Sequence, residues 1–93
     1  LNTYTMTRVQ VILTLDMENL PSNFSEILKQ EQEVVAGWKA QGFLEHLFLR
    51  QTKNGAVLVF RDKDEDQVKA LMATLPFYQI KKSVEYYNLI QQF

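Results

Sequence analysis

The hydrophobic pattern of this chain alternates between the period of a β-strand and the period of an α-helix, and the order of these segments restricts the fold more than any other feature. In chain order the pattern predicts a strand at residues 8–15, a helix from 22–23 to 42, strands at 44–52 and 56–60, a helix from 64 to 76, and a strand at 80–90. The predicted order is therefore β-α-β-β-α-β.

Capping residues set the limits of the first helix. Ser22 or Asn23 can cap its N-terminus, and Glu26 stands three residues after Asn23, as in a capping box. Gly42 ends the helix, because glycine tolerates the left-handed conformation that follows a last helical turn. We expect a helix of about five turns between these limits.

Turn and capping signals also delimit the second half of the chain. Asn54-Gly55 lies between two apolar runs, a dipeptide typical of a tight hairpin turn, so strands two and three are predicted to be antiparallel neighbours. Asp64 and Gln67 can form a capping box at the start of the second helix. Pro76 is expected to stop that helix.

The β-α-β-β-α-β order predicts an α+β fold of the ferredoxin-like type, in which two βαβ units are fused through a hairpin. With right-handed crossovers, the antiparallel sheet has the order 4-1-3-2. A chain of 93 residues is long enough for one domain, which we assign to residues 6–93. Residues 1–5 precede Met6, the first methionine, and are interpreted as an N-terminal extension or an expression remnant.

Composition excludes several classes of function. Ten basic and eleven acidic side chains give a net charge of −1, which supplies no basic footprint for nucleic acid or an anionic membrane. The absence of cysteine excludes disulfides, thiolate zinc sites, iron–sulfur clusters and a cysteine nucleophile. No apolar run approaches the roughly 20 residues of a membrane span, and no signal-peptide pattern is present. We expect a cytoplasmic protein.

The third predicted strand is apolar on both faces, and two helices can cover only one face of a four-stranded sheet. Val57 and Val59 point one way, while Leu58 and Phe60 point the other. In strand two, Leu44 and Phe48 are likewise predicted to oppose Leu47 and Leu49. The exposed apolar face predicts a homodimer that packs sheet against sheet. The alternative is that the segments that are apolar on both faces are short and lie under loops of the same chain.

Glu31 is the first candidate for chemistry. It falls on the apolar stripe of the first helix, together with Leu28 and Val35, so its carboxylate is predicted to point at or near the sheet. A desolvated carboxylate has a raised pKa and can abstract a proton next to a carbonyl. The alternative is a glutamate whose stem packs while its head reaches solvent. Glu33 lies away from the stripe.

His46 is the only histidine of the chain and the second candidate. Strict alternation along strand two places it on the same face as Leu44 and Phe48. It can exchange a proton near neutral pH, or it can be a structural histidine. One histidine without further ligands makes no metal site, so no metal is predicted, and no motif indicates another cofactor.

Aromatic side chains are numerous enough to line a pocket for a flat, unsaturated ligand. The set is Trp38, Phe43, Phe77, Tyr78, Tyr86 and Tyr87. Of these we assign Trp38, Tyr78 and Tyr86 to the ligand site, together with Phe48 of strand two. The cations that could attract a carboxylated ligand are Arg50, Arg61, Lys81 and Lys82. The two lysines can instead protect a sheet edge from aggregation.

Four segments together resemble the muconolactone isomerase family of the dimeric α+β barrel superfamily. They are residues 31–47 (EQEVVAGWKAQGFLEHL), 59–62 (VFRD), 71–78 (LMATLPFY) and 84–85 (VE). The resemblance implies a dimer that closes a barrel, often within a larger ring, and a pocket between the sheet and the helices. It also implies a proton shift that moves a double bond in an unsaturated lactone. His46 matches the family's strand histidine, and Glu31 and Glu33 lie near a matched acidic pair.

These observations support two hypotheses of function. In the first, the protein is a small-molecule isomerase of the muconolactone isomerase type, with Glu31 as the base and His46 as its partner. In the second, it is a non-catalytic protein of the same fold that binds a small ligand or only forms oligomers. Fold alone does not separate them. The distinguishing feature is whether Glu31 and His46 reach one shared cavity.

Overall fold

The computed structural model describes residues 7–93, so the interpretation of Met6 and the residues before it lies outside the described part of the chain. The strands are β1 (Thr7–Leu15), β2 (Leu44–Leu49), β3 (Gly55–Phe60) and β4 (Lys81–Ile90). The helices are α1 (Phe24–Gln41) and α2 (Glu65–Met72), with short 3-10 helices at Met17–Asn19 and Pro76–Ile80. The predicted β-α-β-β-α-β order is confirmed.

The four strands form one antiparallel sheet in the order β2-β3-β1-β4. This is the predicted order 4-1-3-2 viewed from the other side. The strongly apolar β1 and β3 occupy the centre, where a strand has neighbours on both edges. Strands β2 and β4 are the edges among residues 7–93.

Alternate residues of β1 account for the core. Val9, Val11, Leu13 and Leu15 are all buried on the helix-covered face of the sheet. Val11 pairs with Leu58, and Val9 pairs with Phe60, so β3 contributes its buried residues to the same face. The core continues into α1 through Trp38 and into α2 through Val68 and Met72. The two-residue period of these strands therefore decides which face the helices cover.

The helix limits follow the predicted signals in part. Gly42 follows α1 with φ of 93°, in the left-handed conformation expected of it. The capping box of Asp64 and Gln67 is present at the start of α2. The capping box predicted at Asn23 is wrong, because Asn23 makes no side-chain cap hydrogen bond although it is the N-cap residue. Pro76 does not end α2 directly either: α2 ends at Met72, and Pro76 begins the second 3-10 helix.

The hairpin between β2 and β3 is antiparallel as predicted, but its turn differs. Strand β2 ends at Leu49, and residues 50–54 form a longer loop in which Lys53 adopts a φ of 61°. Gly55 is already part of β3. A Cβ atom at Gly55 would collide with the backbone carbonyl of Leu13 on the neighbouring strand. The glycine is therefore required for close approach of two strands and not for a two-residue turn.

A β-bulge in β2 corrects the predicted distribution of its side chains. Leu44 pairs with Phe60 but His46 pairs with Val59, so the register shifts between Leu44 and His46. Because directly paired residues point to the same face, His46 lies on the helix-free face, opposite Leu44. The prediction that His46 and Leu44 share a face is therefore wrong. Phe48 follows His46 onto the helix-free face.

The helix-free face combines apolar and charged side chains. Ile12, Val57 and Val59 are half-buried in the middle of this face. Toward one end, Arg8 Nε donates to Glu45 Oε1 at 2.7 Å, and Arg8 Nη2 donates to Glu45 Oε2 at 3.1 Å. This bidentate pair raises the pKa of Arg8 and lowers the pKa of Glu45. No helix within residues 7–93 is long and apolar enough to cross a membrane.

Candidate functional site

A cavity of about 380 Å³ lies between α1 and the sheet, within the size range of small-molecule sites. Its walls come from β1, α1, β2, the β2–β3 loop, β3 and the second 3-10 helix. Aliphatic and aromatic side chains supply most of the lining, among them Leu13, Phe24, Leu28, Val35, Leu58 and Phe77. The cavity is therefore suited to a molecule that is largely apolar.

Glu31 contributes a carboxylate to this apolar cavity. It lies on the sheet-facing side of α1, and only 7% of its surface is exposed. Its Oε1 accepts a 2.9 Å hydrogen bond from the backbone N–H of Phe77. Burial raises the pKa of Glu31 above its ordinary value of 4.5, and the hydrogen bond from Phe77 offsets part of that shift. The carboxylate thus has the desolvated environment that favours a proton acceptor.

The two oxygens of this carboxylate differ in their surroundings. Oε1 is held by Phe77, whereas Oε2 has no hydrogen-bond partner within residues 7–93. In the same residues, no fully buried side-chain oxygen lacks a partner. Oε2 therefore keeps open space beside it, and the cavity that Glu31 lines provides that space. One oxygen orients the group, and the other is available to a ligand.

Two parallel aromatic rings form one end of the cavity wall. The rings of Phe24 and Phe77 stack with centroids 5.7 Å apart and an interplanar angle of 8°. Phe24 comes from the first turn of α1, and Phe77 follows Pro76 in the second 3-10 helix. Because Phe77 also supplies the N–H bound by Glu31, the same residue orients the carboxylate and forms an apolar wall.

Two cationic residues lie in the loop between β2 and β3. Arg50 and Lys53 both line the cavity, and Glu31 is the only acidic residue of its described lining. Arg50 Nη1 donates a 2.9 Å hydrogen bond to Thr14 Oγ1. Because Thr14 lies between the buried Leu13 and Leu15, its side chain is on the helix-free face, so this bond directs the guanidinium away from the cavity. Neither cation contributes to the pKa shift of Glu31, whose causes are burial and Phe77. Lys53, which is exposed, is therefore the cation of the lining that a ligand in the cavity can meet.

His46 does not line this cavity. It borders a separate groove between α1 and β2, where its side chain is 55% exposed. Its Nε2 lies 3.8 Å from Glu45 Oε1, and its ring stacks on Phe48 with centroids 5.8 Å apart. The bulge in β2 accounts for this position, because it turns His46 to the helix-free face. The structure does not bring Glu31 and His46 together in one cavity.

The four aromatic residues assigned to the ligand site lie elsewhere in the fold. Trp38 packs in the core against Phe60, with ring centroids 5.7 Å apart. Phe48 lies on the helix-free face. Lys81 Nζ stands 4.1 Å from the ring centre of Tyr78, and Lys69 Nζ stands 5.4 Å from that of Tyr86. None of these four rings lines the cavity that contains Glu31.

The residues that do line the cavity could be recognised only in part from the sequence. Phe77 and Arg50 are among the predicted aromatic and cationic candidates, whereas Phe24 is not. Lys53 carries no sequence signal for a binding role, since its place depends on the length of the loop. A glutamate on an apolar stripe was the most informative signal. No group of three or more His, Asp or Glu residues within 7–93 is placed to hold a metal ion.

Comparison with known proteins gives a structural likeness and no family. No protein-family model matches the chain, and no curated protein matches it. Among solved structures, the chain is similar to the uncharacterised protein TM1266 from Thermotoga maritima, with a TM-score of 0.44 and 18% sequence identity. The alignment covers 91% of this chain and 95% of that one. The resemblance to muconolactone isomerases is not confirmed by these comparisons.

Proposed function

We propose that the protein binds a small, largely apolar molecule in the cavity beneath α1 and transfers a proton on it, with Glu31 as the base. One observation carries this proposal: a buried carboxylate has one oxygen held by the Phe77 N–H and the other open to an apolar cavity. Burial raises the pKa of Glu31 and makes its carboxylate a stronger proton acceptor. The activity class is isomerisation of the muconolactone isomerase type, on an unsaturated lactone or a related carboxylated compound.

A single carboxylate is sufficient for this chemistry. The C–H bond next to a carbonyl breaks, the proton moves to Glu31, and the electron pair enters the conjugated system. Return of the same proton to a more distant carbon completes the shift of the double bond, with no redox change and no co-reactant. His46, which lies outside the cavity, is not required in this scheme. Because Glu31 is desolvated, its charge is not stabilised by water before the proton is transferred.

The charges at the cavity favour a carboxylated ligand in one orientation. Lys53 can attract a carboxylate, while Glu31 would repel it. A ligand carboxylate at the loop leaves the apolar part of the molecule to extend toward Phe24 and Phe77. The reacting carbon then lies near Glu31, away from the anionic group. This arrangement supports the carboxylated substrate class.

A homodimer through the helix-free face is the second part of the proposal. Ile12, Val57 and Val59 form a half-buried apolar stripe that no helix of residues 7–93 covers. Phe48 and Tyr87 beside it are 58% and 47% exposed. A second copy presents the same stripe, so two sheets can pack face to face. The bidentate bond between Arg8 and Glu45 neutralises both charges at one end of this face.

The alternative is a protein of this fold that binds a ligand, or only forms oligomers, without catalysis. One observation favours this alternative. The Phe77 N–H, which donates to Glu31, belongs to the first turn of the second 3-10 helix. The N–H groups of a first turn need acceptors, so Glu31 can be a capping residue that holds this helix against α1. In that case its carboxylate has a structural role and transfers no proton.

Glu31→Gln separates the two possibilities, because glutamine keeps a carbonyl oxygen for the Phe77 N–H but cannot act as a base. We expect turnover on a panel of unsaturated lactones to fall by about 10² to 10⁴ while ligand binding is retained. Glu33→Gln is the matched control, since Glu33 is exposed on the same helix. Equal turnover in the two variants would eliminate Glu31 as the base. Ligand binding without turnover in the wild type would support the non-catalytic alternative.

A further inference from the structure

Strand β2 is an edge strand with an unusually long run of exposed apolar side chains. Within residues 7–93 it pairs with β3 alone. Leu47, Phe48 and Leu49 follow one another along it and are 42%, 58% and 81% exposed. Edge strands normally carry charges or proline that prevent pairing with another chain. β2 has three large apolar side chains in a row instead.

The free backbone groups of this edge can be assigned. The N–H of Arg50 donates to the carbonyl of Gly55, so the backbone of Arg50 faces β3. Successive residues of a strand direct their N–H and C=O groups to opposite edges, and the register is regular from His46 to Leu49. Phe48 therefore faces β3, whereas Leu47 and Leu49 direct their N–H and C=O groups outward.

The two edges of the sheet differ in charge. The outer strand β4 carries Lys81, Lys82 and Glu85, which are exposed and resist the approach of another strand. On β2 the one acidic side chain, Glu45, is bound to Arg8 and has lost its repulsive effect. A second copy of β2 would therefore approach this edge without repulsion between like charges. It would meet more resistance at β4.

We infer that β2 pairs with β2 of a second copy, antiparallel across a two-fold axis at Phe48. In this register Leu47 of each copy lies opposite Leu49 of the other, and each pair exchanges two backbone hydrogen bonds. Phe48 then lies opposite its own counterpart in a non-hydrogen-bonded pair, where side chains approach most closely. The strand is complementary to itself, as a two-fold interface requires. Every outward backbone N–H and C=O group of Leu47 and Leu49 then gains a hydrogen-bond partner.

This pairing also has a consequence for the cavity. Leu47 and Leu49 line the cavity and are nevertheless exposed, so its wall is incomplete along the edge of β2. A second β2 would continue the wall with its own leucines. The edge contact is distinct from the proposed packing of helix-free faces. Both contacts together would link dimers into larger assemblies, and the edge pairing does not depend on any role of Glu31.

Amide hydrogen exchange, measured residue by residue by NMR at two protein concentrations, tests the pairing directly. At high concentration the amides of Leu47 and Leu49 should exchange at least about tenfold more slowly than after dilution. The amides of Phe48 and Arg50 provide the internal control, since both face β3 and should be protected at either concentration. Fast exchange of Leu47 and Leu49 at both concentrations would overturn the inference.

Substitutions at the edge provide an independent measurement by sedimentation. Leu49→Pro removes an outward N–H without removing a β2–β3 hydrogen bond, whereas Leu49→Val keeps that N–H. We expect Leu49→Pro to reduce the assembly mass to that of the dimer joined through the helix-free faces, and Leu49→Val to leave the mass unchanged. If Leu49→Pro fails to fold, Leu47→Lys serves instead, because a charge at the edge opposes pairing.

A variant on the sheet face distinguishes the two contacts. Val59→Asp should disrupt packing between helix-free faces and leave a dimer joined through β2. Combining it with Leu49→Pro should then give a monomer. A monomeric Val59→Asp protein, or equal masses for Leu49→Pro and the wild type, would show that β2 does not pair.

Discussion

The carboxylate of Glu31 and the backbone N–H of Phe77, 46 residues apart in sequence, are joined by a 2.9 Å hydrogen bond between α1 and the second 3-10 helix. Among residues 7–93, this bond leaves the other oxygen of the carboxylate without a partner, and Glu31 lines an apolar cavity. A buried carboxylate with a raised pKa destabilises the folded state when it is ionised. The same property makes it a candidate base, so stability and chemistry are linked at this residue.

The pH dependence of stability should reveal the buried carboxylate. The folded pKa of Glu31 is raised above its ordinary value of 4.5, so the folded state binds more protons than the unfolded chain between these two values. Its contribution to stability is complete below pH 4.5 and is lost as the pH rises through the folded pKa. Glu31→Gln should remove this decline, and its free energy of unfolding at neutral pH should equal or exceed that of the wild type. Urea unfolding at a series of pH values measures the free energy of unfolding of both proteins.

The matched control for that experiment is Glu33→Gln. Glu33 is exposed on the same helix, so its replacement should preserve the decline in stability above pH 4.5. If the free energy of unfolding depended on pH equally in the wild type and in Glu31→Gln, Glu31 would be solvated in the folded state. Glu31 would then be eliminated as the buried base of the proposed reaction.

Removal of the Lys53 charge should weaken binding of carboxylates selectively. Lys53→Gln keeps a polar side chain at the cavity but removes its charge. Arg50→Gln removes a charge that is directed toward Thr14 on the helix-free face, and it is the matched control. We expect Lys53→Gln to lose up to about fivefold in affinity for cinnamate, because exposed or partly exposed charge pairs contribute about 1 kcal/mol or less, and Arg50→Gln to lose less. Affinity for the neutral cinnamyl alcohol should not change. Calorimetric titration of both ligands measures the difference, and equal losses for the two ligands would contradict a role in carboxylate recognition.

A charge on the helix-free face should dissociate the proposed sheet-to-sheet dimer. Val59 is half-buried on this face, whereas Leu58 is 1% exposed beneath the helices, so Val59 is the position that tests the interface. Val59→Asp would place a charge where two apolar sheets meet, at a cost of several kcal/mol. Gln30→Glu adds the same charge to an exposed position of α1 and is the control. Sedimentation that shows no change of mass with Val59→Asp would refute this interface.

Two glycines should respond in opposite ways to replacement by alanine. A Cβ at Gly55 meets the backbone of Leu13, so Gly55→Ala should force the strands apart and cost more than about 1 kcal/mol of stability. Gly37 lies within α1 and has no atom within 4 Å of an added Cβ. Gly37→Ala should therefore stabilise the protein by up to about 1 kcal/mol through helix propensity. Thermal unfolding of both variants measures the contrast, and destabilisation by Gly37→Ala would contradict it.

The sequence by itself determined the architecture. Alternating apolar residues of β1, the two apolar faces of β3 and the helical stripe of α1 predict element types and order, because strand and helix periods are local properties. Local signals at Gly42 and Asp64 also placed two helix ends correctly. The burial of Glu31 followed from its position on the apolar stripe. These features depend on residues that are close in sequence, so the sequence pattern is sufficient to predict them.

Only the tertiary structure decided which residues meet. The bulge in β2 arises from its pairing with β3, and a strictly alternating pattern cannot predict it. Alternation alone therefore assigns His46 to the wrong face. The bond from Phe77 to Glu31 and the contact of Arg50 with Thr14 join segments distant in sequence. Such contacts depend on how α1 and the loops pack on the sheet. Local propensity does not specify that packing, and the cavity consequently contains Phe24 and Lys53 instead of Trp38, Tyr78 or Tyr86.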